Sequence, residues 1–390
     1  MIEQSATRPE LRLGDRDAAL DGLRAIAALM VVFFHCGVQL QVAGLVIPGY
    51  LGVHLFFVLS GYLISRPFWA RLVAEQPLPS WRRYGVRRFM RVYPTYFVAL
   101  VVFVAMRFAG HLHEPSLADV LLHLLLVFNL GDAAQFLAIN IAMWTLAIEA
   151  QFYVILPIAA GLARRAAPGR GRGAALSIGL AFVLIGWLSR WLEYRSTLPG
   201  DLRFRLPFSF LDLFATGMLV AYLELTGAAF FRERPLLRRG LVLCAAAVLL
   251  GANYWLMLAG GPDWLKPPTL ALACLYPTLI CIAFALILLA VLTRARYPVT
   301  LLTSRPLVFI GQISYSMYLF HIGVGYFLLT RLPHDLSERI GSRPLLYALV
   351  QLGPVLIISY IVYRLVERPS LRWVENFSMR AREREQVSPS

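Results

Sequence analysis

The stretch LDGLRAIAALMVVFFHC, residues 20–36, sets an arginine and a histidine into an otherwise apolar run. A helix rises 1.5 Å per residue, so about 20 apolar residues cross the ~30 Å of bilayer hydrocarbon. Arg24 and His35 stand eleven positions apart. Eleven steps of about 100° leave only about 20°, which puts both on one helical face roughly 16 Å apart. An arginine at mid-bilayer costs about 2.5–3.5 kcal/mol even on lenient insertion scales, so such a face turns into the bundle. Arg24, near the span end, can instead snorkel to the interface, and His35 can serve as a hydrogen-bonded bundle residue. Together on one face they read as a site.

The rest of the chain shares this character. Of 390 residues, 59% are hydrophobic and 15% charged, with a mean hydropathy of +0.66. A soluble domain needs about 25% charged residues to cover its surface, so soluble and disordered classes are excluded. Apolar runs at 21–38, 49–67, 92–109, 141–162, 174–192, 207–225, 241–259, 269–292, 307–330 and 345–366 predict ten spans. A further run, 117–130, is too short to cross and suits a re-entrant or interfacial helix. The expected fold is an all-α polytopic membrane protein, a bundle of about ten transmembrane helices plus that one short helix. No small-x-small cleavage site follows the first run, which reads as an uncleaved span.

Basic residues orient the bundle. If 117–130 does not cross, the N-terminus, the loops at 66–91, 163–173, 226–240 and 293–306 and the tail from 367 share one side and carry 26 Arg. The opposite side carries eight Lys or Arg: Arg190, Arg195, Arg203, Arg205, Lys266, Arg331, Arg339 and Arg343. A crossing at 117–130 would erase that asymmetry. The positive-inside rule then predicts both termini in the cytoplasm, with a segment 1–20, a membrane domain 21–366 and a polar tail 367–390. The net charge of +15 reads as this orientation signal, and no nucleic-acid partner is expected. Cys36, Cys244, Cys274 and Cys281 lie in or beside apolar runs without metal spacing and read as small core or lipid-facing residues.

Other polar groups stand where lipid would exclude them. RRFMRVYP, residues 87–94, brings Arg88 and Arg91 together on a helix entering the third span; arginine forks match phosphate oxygens, while plain positive-inside charge is the simpler reading for Arg82 and Arg83. WTLAIEAQFY, residues 144–153, buries Glu149, which needs a cation or an imidazolium partner. GQISYSMYLFHIG, residues 311–323, gathers Ser314, Ser316, Tyr318 and His321, with Gln312 and Ser316 suited to joining helices. Asp212 is weaker evidence, and His111, His113 and His123 show no partner carboxylates, so no metal site is expected.

Taken in order, these segments resemble the membrane acyltransferase-3 family, the integral-membrane O-acyltransferases of bacteria and some animals. The resemblance covers roughly residues 20–371 and rests on LDGLRAIAALMVVFFH, GVHLFFVLSGYLI, RRFMRVYP, WTLAIEAQFY and GQISYSMYLFH, followed by VERP at 366–369. It implies transfer of an acyl group, commonly acetyl from acetyl-CoA, to a hydroxyl of a sugar, lipid, polysaccharide or glycosylated metabolite. It implies roles for Arg24 and His35 as the first-span pair and for Arg88 and Arg91 as the loop pair, and places the protein in a bacterial cell membrane. His54 stands where many members have Asp, and Ala150 where a second Glu is common. Many relatives carry a fused extracytoplasmic hydrolase-like domain; none is read in this sequence.

The resulting expectation is acyl-CoA held by Arg88 and Arg91, with no permanently bound cofactor. His35 is the general base or an acyl-accepting nucleophile, Glu149 orients its ring, and Arg24 guides the pantetheine arm or pairs with Glu149. Ser314, Tyr318 and His321 are held for acceptor binding or support. The rival reading is a transporter or flippase with Arg24, His35 and Glu149 along its path. On topology, cysteine labelling at Gly169 and at Ser388 is expected to report the cytoplasmic side for both; an external Gly169 would make 117–130 a crossing.

Overall fold

The computed structural model describes residues 13–40, 49–108, 114–131, 133–196, 205–258, 269–293, 296–331, 336 and 342–387, and among them all regular structure is helical. His111 and His113 lie outside the described residues. In chain order the helices are α1 (Leu13–Gln39), α2 (Leu51–Val73), α3 (Trp81–Phe108), α4 (Leu117–Leu124), α5 (Ala133–Leu137), α6 (Trp144–Ala166), α7 (Gly171–Arg195) and α8 (Leu211–Arg232). They continue as α9 (Pro235–Leu258), α10 (Leu270–Leu292), α11 (Arg296–Leu302), α12 (Arg305–Gln312), α13 (Ser314–Arg331), α14 (Pro344–Val362) and α15 (Arg368–Val387).

Nine helices among the described residues are long and apolar enough to cross a membrane, and α12 with α13, bent by 74°, makes ten if the pair is one broken span. The run at 117–130 does not form a crossing. Its α4 has eight residues, a rise of only about 12 Å, and a capping box starts it: Ser116 Oγ accepts from the Asp119 amide at 3.2 Å while Asp119 accepts from the Ser116 amide at 2.8 Å.

Helix α2 is apolar around nearly its whole circumference, the pattern of a helix enclosed by others. It packs against α1, α6, α7, α8 and α10. Its most extensive packing is against α8, where Gly61 faces the Phe214 carbonyl and Gly217 faces the Val58 carbonyl; a Cβ on either glycine would overlap backbone. Small residues of this kind let membrane helices meet backbone to backbone. Around the crossing lies the larger apolar cluster, with Tyr62, Phe68 and Trp69 of α2 and Phe152 stacked on Phe214 at 4.0 Å. A second cluster joins Tyr96 and Phe103 of α3, Phe128, Met143 and the α13 residues Leu319 and Phe320.

One arginine assigned by its sequence position to the far-side orientation charge is something else. Arg190 is 4% exposed and grips Asp212, 0% exposed, through two bonds of 2.7 and 2.6 Å. Its guanidinium also donates to the carbonyls of Ser209 and Cys274 at 2.6 and 2.9 Å, and Thr278 closes the ring of partners on Asp212. The pair therefore ties α7, α8 and α10 together and carries no loop charge.

The glycine crossing yields a stability prediction. Gly217→Ala should push α2 from α8 and cost about 1–3 kcal/mol, read as a lower unfolding temperature in detergent. Gly161→Ala, where an added Cβ meets nothing within 4 Å, should leave that temperature unchanged or slightly raised.

Candidate active site

Between the two apolar clusters a cavity of about 290 Å³ opens, walled by α1, α2, α3, α6, α12, α13 and the segment that follows α14. Arg24, Arg88, Arg91, Glu149, Ser314 and Tyr318 all line it. Segments scattered from α1 to α13 in the chain thus meet at one place.

Each charged group in the cavity has a described setting. Arg24 pairs with Asp21, one turn earlier, at 2.9 Å. Glu149 accepts from Ser60 of α2 at 2.6 Å. Arg88 donates to the Leu63 carbonyl at 3.3 Å and sits 5.6 and 5.4 Å from the ring centres of Tyr84 and Tyr153, a cation–π arrangement. Arg91 is exposed beside it on the same helix face.

A third carboxylate enters by an unusual route. Between α14 and α15, residues Tyr363–Glu367 form a π-helical turn. Pro369 follows; it has no N–H for the Leu365 carbonyl, and its ring crowds that position, so the helix widens before it. Ser370 Oγ donates to the Val366 carbonyl at 2.8 Å. The widened turn carries Glu367 into the cavity wall, where Ser316 of α13 donates to it at 3.0 Å. Leu371 of α15 also lines the cavity, so the segment expected to be a polar tail begins as a helix at the cavity edge.

His35 and His321 are not part of this lining. They meet each other one turn beyond Tyr318, ring centres 4.9 Å apart. Their acceptors fix the tautomers. A carbonyl only accepts, so His321 Nδ1 bears hydrogen and donates to the Tyr318 carbonyl at 2.8 Å. In a neutral ring His321 Nε2 is then bare and accepts from His35 Nδ1–H at 3.1 Å, a hydrogen shared with the Val31 carbonyl at 3.0 Å. His35 Nε2 is left with the lone pair. The turn bearing His321 is pinned from behind, since Gln351 of α14 donates to the His321 carbonyl at 2.8 Å and accepts from Cys36 Sγ at 2.9 Å.

Two expectations change with this geometry. The ring of His35 is held by His321 and Val31, and Glu149 bonds to Ser60 instead. Arg24 bonds to Asp21 rather than to Glu149. Asp21, Glu367 and Gln351 had escaped notice, although Asp21 stands three residues before Arg24 and Glu367 is the acidic residue of VERP. His123 is buried in α4, donating to the Asp119 carbonyl at 2.8 Å and stacked 3.9 Å from Phe128, away from the cavity.

Fold and cavity together define a polytopic helical membrane protein with a polar chamber inside the bundle. The chain belongs to the acyltransferase family described as an acyltransferase domain, whose model matches residues 17–364. It is similar to the peptidoglycan O-acetyltransferase OatA of Listeria monocytogenes, 24% identical over 90% of this chain and 55% of that one. It thus spans about half the length of that relative. A protein of Komagataeibacter xylinus that bears the name of a membrane-bound transacylase is 29% identical, over 95% of this chain and 87% of that one. The acyltransferase MdmB of Streptomyces mycarofaciens is 26% identical, with 91% of each chain covered. No solved structure matches the chain.

Proposed function

We propose that this protein transfers an acyl group, acetyl in the simplest case, from acyl-CoA to a hydroxyl of a sugar, glycosylated metabolite, lipid or envelope polysaccharide, with His35 as general base. The observation that carries the reading is the histidine pair, whose bonds leave His35 Nε2 unprotonated just beyond the Tyr318 end of a cavity lined by three arginines. Residues 21–366 form the transfer domain in a bacterial cell membrane, and the flanking 1–20 and 367–390 lie in the cytoplasm.

Acyl-CoA phosphates bind at Arg88 and Arg91, and the pantetheine arm runs inward past Arg24 and Glu149. The acceptor hydroxyl gives its proton to His35 Nε2 as its oxygen attacks the thioester carbonyl. The imidazolium so formed keeps Nδ1–H on His321 and Val31, so His321 orients and steadies the base as the third member of a triad does. When the tetrahedral intermediate collapses, the C–S bond breaks and the CoA thiolate takes the proton from His35. Ester and free CoA are the products.

His35→Ala should abolish transfer while membrane insertion and acyl-CoA binding persist, since loss of a general base costs about 10²–10⁴-fold in rate. His35→Gln, polar but unable to take the proton, should be nearly as inactive; recovery of more than about a tenth of wild-type turnover, a factor worth ~1.4 kcal/mol, removes His35 as base. Arg88→Ala and Arg91→Ala should raise the acyl-CoA concentration needed for half-maximal rate by about 10–150-fold, the worth of a charge-assisted bond of roughly 1.5–3 kcal/mol. Lysine at either position should restore only part of it. A larger effect from Arg82→Ala than from both would displace the phosphate site.

A further inference from the structure

The proposed reaction builds negative charge on the thioester carbonyl oxygen, and a buried hydrogen-bond donor is needed to receive it. The hydroxyls around the cavity differ in what they have left to give. Ser60 donates to Glu149 at 2.6 Å, and Tyr315 to the Val92 carbonyl at 2.8 Å. Thr145 of α6 donates its proton to the Tyr318 hydroxyl at 2.8 Å. Tyr318 therefore accepts in its described side-chain bond, and its own phenolic proton remains to be offered.

The position of that hydroxyl is equally specific. Thr145 and Tyr318 are 9% and 6% exposed and both line the cavity. The Tyr318 ring is 5.9 Å from that of His321, and the Tyr318 carbonyl is the acceptor that fixes the His321 tautomer. Val31, whose carbonyl holds His35, packs with Tyr318 and Ala142 in a small apolar cluster. The edge contact between Phe56 and Tyr318, 5.7 Å between centres, restrains the ring from the other side. Tyr318 is thus where the cavity ends and the histidine pair begins.

We infer that Tyr318 is a catalytic residue, donating its phenolic hydrogen bond to the thioester carbonyl oxygen, and that Thr145 is a positioning residue that aims and polarises it. This rests on the acyl-transfer reading above. As the acceptor oxygen bonds to the carbonyl carbon, the carbon–oxygen π pair moves onto the carbonyl oxygen and is met by the Tyr318 O–H, whose proton stays on tyrosine. The Thr145 bond strengthens that donation, because linked hydrogen bonds polarise one another. Collapse restores the carbonyl, expels the thiolate, and His35 supplies its proton.

The test uses the full chain in detergent or nanodiscs with acetyl-CoA and chloroacetyl-CoA. Tyr318→Phe keeps the ring and removes the donor; turnover with acetyl-CoA should fall about 10²–10³-fold, with acyl-CoA binding little changed. Chlorine draws charge from the developing oxyanion, so the chloroacetyl-to-acetyl rate ratio should rise above wild type in Tyr318→Phe. Thr145→Val should shift the same ratio in the same direction by less, and it decides the matter if Tyr318→Phe does not accumulate in the membrane. An unchanged ratio in the variant that folds, or a loss confined to acyl-CoA binding, overturns the inference and leaves Tyr318 a wall residue. Failure of the underlying reading is seen separately: an active His35→Gln in a chain with Tyr318 intact removes the base without touching this comparison.

Discussion

A charge enclosed by membrane helices has to be met by a partner from elsewhere in the chain, because no water stands ready to solvate it. That requirement divides this bundle into two parts. On one side Arg190 and Asp212 satisfy each other through two bonds, with carbonyls and Thr278 taking what is left. That pair leaves only the Arg190 Nε without a partner among the described residues. On the other side three arginines and three carboxylates face one cavity, yet Arg88 is held by a carbonyl and two aromatic faces. A guanidinium kept that way retains its charge for an incoming anion, which the proposed acyl-CoA phosphates supply.

Helix α2 makes the arrangement possible. Its crossing with α8 at Gly61 and Gly217 is tight enough to seat backbone on backbone, and its other side offers Ser60 to Glu149. The scaffold and the cavity are opposite faces of one helix. Beyond the cavity, α14 braces the histidine pair through Gln351 rather than through any charged group, so the proposed base is oriented by neutral partners alone.

Much of this was legible in the sequence. The all-helical membrane bundle and the short helix at 117–130 follow from hydropathy, and the cost of polar groups in lipid singles out Arg24, Arg88, Arg91 and Glu149, which line one cavity. Partner choice was not legible. Helical phase puts Arg24 and His35 on one face, but it does not say that Tyr318 stands between the cavity and the histidine, or that His321 reaches His35. Arg190 sits near a span end, and its chain position alone cannot distinguish an interfacial charge from one half of a buried pair. Glu367 was hidden for a different reason. A regular helix through VERP would aim it elsewhere, and only the response of the backbone to Pro369 turns it inward.

That response has a mechanical side. A π turn holds one residue more than the α-helical path it replaces, and one residue is about 100° of rotation. Everything after Tyr363 is therefore phased against everything before it, like a screw advanced by more than a quarter turn. Were the excess residue absorbed, Glu367 would swing off Ser316 and Leu371 would leave the cavity rim together, since both ride on the same rigid rod. The proline thus sets the angular register between a membrane span and the helix that continues from it.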